Sequence, residues 1–270
     1  MSSVPEALAE AARREPDLAS YYELHSKLFE LQDKARGELA ARLELADQPA
    51  LQVRLLQGRS QLSFAQLLLE AGRFAELSMA IAMALKEYYA PDRADEQTLP
   101  ANIAGWFSLA QRRFEEGCAS PEKRDGRMEL SLAEMTVDQA LKPYLAWAAE
   151  QVLPHLDQRQ WLRTYCPACG GSPDFAFLAK EAGDRYLVCS RCNSQWLYRR
   201  LGCPFCDTLD DAKIVYYPSE DQVYRLYVCD ACHRYLKTMD LRQTAVSVLA
   251  AVERITTVAM DMTARQEGYQ

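Results

Sequence analysis

Along the first half of the chain, apolar residues recur at steps of three and four. Tyr21, Leu24, Leu28, Leu31, Ala35 and Leu39 form one such stripe. Their spacing predicts a long helix, N-capped by Asp17 after Pro16 and ended by Pro49. A second helical region is expected over 51–71, broken at Gly58, and a third over 74–90 with Phe74, Leu77, Ile81 and Leu85 on one face. Two more follow: 101–118, anchored by Trp106, Leu109 and Phe114, and 133–156, where Pro143 either kinks the helix or starts a new segment. Between them, 91–100 reads as a charged loop, and a polar loop runs through Pro121 and Gly126.

At Asp157 the period changes from helical to short β-type runs: 175–178, 186–188, 196–198, 214–217, 223–228 and 235–236. Hairpin turns are expected at 181–184 and 218–221. From 240 to 265 a helical period returns, with Leu241, Ala245, Val248, Leu249, Val252, Ile255, Ala259 and Met262 on one broad apolar face. Such a face needs cover from a ribbon, from the amino-terminal bundle, or from another protein. The fold class read from this pattern is α+β. A helical domain (1–157) precedes two tandem rubredoxin-like or zinc-ribbon β modules (158–201 and 202–239), and a long C-terminal helix (240–270) packs back.

The β region holds eight of the nine cysteines, as four Cys-x-x-Cys pairs: Cys166/Cys169, Cys189/Cys192, Cys203/Cys206 and Cys229/Cys232. Two cysteines two residues apart on a tight turn aim both sulfurs at one point, so two pairs make a closed four-sulfur metal site and four pairs make two. The halves repeat each other. Cys166-Pro-Ala-Cys169 matches Cys203-Pro-Phe-Cys206, Tyr186-Leu-Val-Cys189 matches Leu226-Tyr-Val-Cys229, and Trp196-Leu197 answers Tyr235-Leu236. Each unit then closes its own site over a short loop, first pair with second and third with fourth; a crossed pairing is the alternative. Four sulfurs suit zinc and iron equally. Gly170 permits the turn that aims amide N–H groups at sulfur, and Asn193 tolerates the same conformation. His233, directly after a ligand, is expected near the site or on the surface, not in the ligand set. Ribbons this small bury little apolar surface, so their folding is expected to depend on the ion.

Charge and composition narrow the function. The net charge is −7, and 159–240 is nearly balanced with 11 basic and 10 acidic residues, against the basic field that a nucleic-acid binder needs. Residues 1–14 lack the apolar core of a signal peptide, and the most apolar windows, 62–85 and 245–262, are interrupted by charge. A cytoplasmic protein with reduced thiols is expected, without membrane insertion. Cys118, outside the pairs, reads as a small buried or half-buried side chain, and His25, beside the first apolar stripe, as a structural or surface histidine. There is no Gly-rich phosphate loop and no His-Glu-x-x-His, and the only histidines are at positions 25, 155 and 233. A closed four-cysteine site also has no open position for substrate, so no enzyme is expected.

Trp161 ahead of Cys166-Pro-Ala-Cys-Gly-Gly-Ser-Pro173, Leu187-Val-Cys-Ser-Arg-Cys192 followed by Trp196, Cys203-Pro-Phe-Cys206, and Tyr227-Val-Cys-Asp-Ala-Cys-His-Arg-Tyr-Leu-Lys-Thr238 together resemble the formate dehydrogenase accessory protein FdhE family. The resemblance implies a cytoplasmic, non-catalytic assembly factor. Such a factor binds the catalytic, molybdenum-dependent subunit of respiratory formate dehydrogenase before its export, through a rubredoxin-like domain that favours iron, with zinc also fitting. Self-association is left open. Two other classes stand beside it: a redox or sulfur-transfer protein acting in cofactor insertion, and a zinc-ribbon nucleic-acid binder.

Overall fold

A computed structural model describes residues 3–39, 43, 45–89, 99–117, 130–244 and 249–270. Cys118, both Pro121 and Gly126 of the polar loop, most of the charged loop, and Ala245 and Val248 lie outside the described residues.

Among the described residues, six α-helices precede the β region: α1 (Val4–Arg14), α2 (Ala19–Gly37), α3 (Gln48–Leu56), α4 (Ala71–Tyr89), α5 (Ile103–Gly117) and α6 (Leu132–Val152). Helix α1 is absent from the periodicity reading; it starts at a capping box in which Ser3 and Glu6 satisfy each other's backbone N–H groups. Asp17 falls in a short 3₁₀ turn, and α2 begins two residues later. Pro49 does not end that helix. It sits in the first turn of α3, where its missing N–H costs nothing, behind an Asp47 cap that accepts from the Ala50 N–H at 2.8 Å.

Pro143 lies inside α6 without ending it. A mid-helix proline orphans the carbonyl four residues back, here Gln139 O. The Gln32 side chain of α2 donates to that carbonyl at 3.1 Å, so a neighbouring helix supplies the missing bond.

Helices α2, α4, α5 and α6 close around Phe74, Ile81, Trp106, Ala110, Val137 and Leu145, all almost fully buried. Each large apolar side chain there contributes about 1.5–3 kcal/mol by leaving water. The same core continues into Cys166, Cys169, Leu187, Cys189 and Trp196. The helical half and the first ribbon are therefore packed as one body.

The strands are β1 (Pro173–Leu178), β2 (Arg185–Cys189), β3 (Gln195–Tyr198), β4 (Ile214–Pro218), β5 (Tyr224–Cys229) and β6 (Arg234–Asp240), within a residue or two of the sequence runs except that β6 is longer. Each ribbon is an antiparallel three-strand unit, and the two join through a parallel pairing of β1 with β6. One six-stranded sheet results, in the order β3-β2-β1-β6-β5-β4.

The C-terminal segment packs back as two short helices, α7 (Ala250–Thr256) and α8 (Val258–Gln266), instead of one long one. Residues up to Asp240 belong to β6, because the Asp240 carboxylate is fixed there by Arg225 and Arg242. Helix α7 stops where Lys237 of β6 donates to the Arg254 carbonyl at 2.7 Å and the Thr257 hydroxyl takes the Glu253 carbonyl at 2.6 Å. Of the expected apolar face, Val252 and Ile255 are buried, while Leu249, Ala259 and Met262 are exposed. Val252 and Ile255 of α7 meet Leu8, Ala11 and Tyr22 of the amino-terminal helices, while Ala264 of α8 meets Leu226 and Val228 of the second ribbon. No helix among the described residues is long and apolar enough to cross a membrane.

Candidate metal centres

The first and second Cys-x-x-Cys pairs come together, and so do the third and fourth. Sulfurs of Cys166, Cys169, Cys189 and Cys192 all lie within 4.8 Å of one another, as do those of Cys203, Cys206, Cys229 and Cys232. The crossed arrangement is not the one formed. His233 and His25 are in neither set.

Each knuckle is built the same way. The N–H of the residue after the second cysteine donates to the carbonyl of the first: Gly170 to Cys166 at 2.9 Å, Asn193 to Cys189 at 3.2 Å, Asp207 to Cys203 at 3.0 Å and His233 to Cys229 at 2.8 Å. That turn needs a left-handed residue, and the four φ angles are 72°, 61°, 57° and 53°. Glycine adopts this conformation freely and Asn or Asp readily; for His it is less common. His233 thus owes its place after Cys232 to the backbone turn, with its exposed imidazole outside the four-sulfur set.

The sulfur spacing fits one ion per set. Nearest separations are 3.5 Å for Cys169 with Cys189 and with Cys192, 3.6 Å for Cys166–Cys192 and Cys203–Cys232, and 3.8 Å for Cys206–Cys229. A disulfide would need about 2.05 Å. A tetrahedron with metal–sulfur bonds of about 2.3 Å has edges of about 3.8 Å, close to these values. Backbone N–H groups of Arg191 and Phe205 point at the Cys189 and Cys203 sulfurs, each at 3.4 Å, which favours thiolate.

Electrostatics point the same way. Burial, with hydrogen bonds to its three neighbours, pushes the Cys166 thiol well above its ordinary range. Burial also opposes ionisation of Cys189, yet hydrogen bonds from Cys166, Cys169 and Cys192 hold that thiol well below it. Such a dry cluster favours concentrating charge on one sulfur; four thiolates require a cation among them.

The two centres differ in access. All four cysteines of the first are buried, whereas in the second Cys206 is exposed and Cys232 half-buried. The first is also tied to the helical half: Gln61 and Leu62 N–H groups bond the Ala168 carbonyl at 3.0 and 2.9 Å, and Tyr165 donates to Gly58 O at 2.7 Å. Around these centres the fold places residues with no local sequence signal. Arg254 of α7 donates to the Cys189 carbonyl and to Asn193 Oδ1, both at 2.8 Å. Arg234 stacks over the Phe205 ring at 3.9 Å.

Taken together, these features define a helical protein fused to a twin four-cysteine ribbon sheet, with two sites able to hold metal ions. Its likeness is to the FdhE proteins. Residues 165–200 match the family model for the FdhE central domain. Over 133 residues the chain is 32% identical to the FdhE homolog of Aquifex aeolicus, aligning 48% of this chain with 46% of that one. Over 196 residues it is 30% identical to the FdhE homolog of Pseudomonas aeruginosa, aligning 63% of this chain with 59% of that one. These alignments span about half of each relative's length. The crystal structure of the FdhE protein from Pseudomonas aeruginosa shares the fold, with a TM-score of 0.64 at 22% identity, covering 99% of this chain and 91% of that one.

Proposed function

We propose that this protein is a cytoplasmic accessory factor for the maturation of respiratory formate dehydrogenase, binding the enzyme's catalytic subunit and carrying out no reaction of its own. The observation that carries the reading is the pair of four-cysteine centres in a chain whose first ribbon, over residues 165–200, matches the FdhE central domain. The eight cysteines, Cys166, Cys169, Cys189, Cys192, Cys203, Cys206, Cys229 and Cys232, hold two metal ions, iron by family resemblance and zinc by equal fit of the donor set. A bound ion supplies the charge that lets four sulfurs ionise together; the chain supplies the turns, the N–H donors and the dry packing around them.

A second reading, a redox or sulfur-transfer role during cofactor insertion, draws on the exposed Cys206, which brings one centre to the surface. Redox-silent zinc counts against it, and iron that cycles between two oxidation states supports it. The nearly balanced charge of 159–240 counts against nucleic acid as a partner.

The test is deletion of the gene in its host, with complementation. The proposal expects formate dehydrogenase activity to fall and the catalytic subunit to co-purify with tagged protein before export. Full activity in the deletion strain, with no co-purification, would overturn it.

A further inference from the structure

Between α2, α6, the sheet and α7 lies a cleft of about 370 Å³. Its wall includes His25, Lys142, Asp174, Arg234, Lys237 and Arg254, with Asp261 and Arg265 at the α8 side. That is five lysine or arginine side chains against two side-chain carboxylates.

Both carboxylates are already engaged. Lys237 pairs with Asp261 at 2.6 Å, and Arg254 with Asp174 at 3.0 Å. Lys142 is left over. It makes no hydrogen bond or ion pair to any described residue; burial and the like charge of Arg254 disfavour its ammonium, and Asp174, Asp138 and the Cys189 sulfur offset this only at longer range. An ammonium without a partner in a semi-enclosed cleft is a costly arrangement unless an anion answers it. The wall holds more than charge: the Gln139 side-chain NH2 and the rings of Tyr21 and Phe205 also line it. His25 stands edge-on to Tyr21 at 4.6 Å, and burial, Lys142 and Lys237 hold its imidazole neutral down to about pH 4, so it can both donate and accept a hydrogen bond.

We infer that this cleft binds a small molecule bearing two or more oxyanion charges, phosphate or carboxylate, with Lys142 as the central anchoring cation. A cavity of this size suits a compact ligand and not a folded partner. It lies between the two cysteine centres, with Pro173 and Asn193 on one side and Phe205 and Arg234 on the other, so a ligand there would touch both ribbons and the helical half at once.

The test is calorimetric titration of the metal-loaded full chain with inorganic pyrophosphate and, separately, with citrate, at matched ionic strength, together with melting curves. Saturable binding of either, with a rise in melting temperature of about 2–4 °C at saturating ligand, is expected. Pyrophosphate alone would identify a phosphate ligand, citrate alone a carboxylate, and both a site that reads charge only. Lys142→Met should weaken binding by about tenfold or more, while Lys86→Met, which removes an exposed cation on α4, should leave it unchanged. Lys142→Gln replaces the methionine variant if that one fails to fold. The inference fails if neither anion binds, or if both lysine variants bind as the parent does. In either case the cations serve only to offset the charge of the neighbouring thiolates.

Discussion

Ala176 of the first ribbon stands in parallel register with Thr238 of the second. Two modules that repeat each other in sequence are thereby joined edge to edge, and β1, the strand that makes the join, is buried along nearly its whole length. Loss of order in one ribbon removes a hydrogen-bonded neighbour from the other.

Cys229→Ser, which takes a ligand from the second centre, should therefore lower metal content by one ion per chain and reduce soluble yield. It should also loosen β1. Hydrogen exchange is expected to speed up at amides of 175–178 as well as in β5. Unchanged protection in β1 would show that the ribbons are stable independently.

Access to the two centres predicts an order of release. Cys206 is exposed while Cys166, Cys169 and Cys189 have no solvent exposure. Under a chelator with a thiol-reactive dye, the first four thiols to react should be those of Cys203, Cys206, Cys229 and Cys232, with far-UV circular dichroism largely retained. Cys166→Ser, inside the core shared with the helices, should instead cost helical signal as well as metal. Simultaneous release of all eight thiols would contradict this.

Asp240 is fully buried between Arg225 and Arg242, at 2.6 and 2.7 Å. Hydrogen bonds from the Arg242 side chain and backbone, together with both positive charges, hold its carboxyl below the ordinary range although burial opposes this. Its folded pKa is depressed, so its contribution is present above the unfolded value of about 3.9 and is lost as pH falls through the folded one. Asp240→Asn should cost about 2–4 kcal/mol in urea unfolding at pH 7, leaving two arginines facing each other. A cost under about 0.5 kcal/mol would mean that the ion triad does not hold the end of β6.

His25 is shifted in the same direction, over a higher pH window. Burial first, then Lys142 and Lys237, lower its pKa to about 4 from 6.5. Between those values the unfolded chain binds a proton that the folded chain does not, so stability falls as pH drops from about 6.5 towards 4. His25→Gln should flatten that part of the profile while leaving stability at pH 8 nearly unchanged. An identical pH slope in the variant would contradict the assignment.

Much of this architecture was legible beforehand because it is local. Four Cys-x-x-Cys pairs on short β runs specify four knuckles, and a repeat at the level of Tyr186-Leu-Val-Cys189 and Leu226-Tyr-Val-Cys229 specifies two similar ribbons. The strands fall where β-branched and aromatic residues cluster in short runs. What sequence period could not reveal depends on partners far along the chain. Pro143 looked like a helix breaker because Gln32, 107 residues before Gln139, supplies the bond it removes. The break at Thr257 comes from Lys237 reaching across from β6, and the parallel β1–β6 join has no signature in either strand alone. Arg254, 65 residues from Cys189 yet bonded to its carbonyl, belongs to the same group. Helix α1 was missed for a different reason: its signals are local but small, a capping box and a short stripe of Val4, Ala7, Leu8 and Ala11.

The most direct measurement is metal content with visible absorption, on the full chain purified without oxygen. The account predicts two metal ions per chain and eight cysteine thiols shielded from reagents until those ions are removed, with iron giving thiolate charge-transfer bands that bleach on reduction and zinc giving none. A well-folded chain containing no tightly bound metal, with all eight thiols reacting freely, would contradict it.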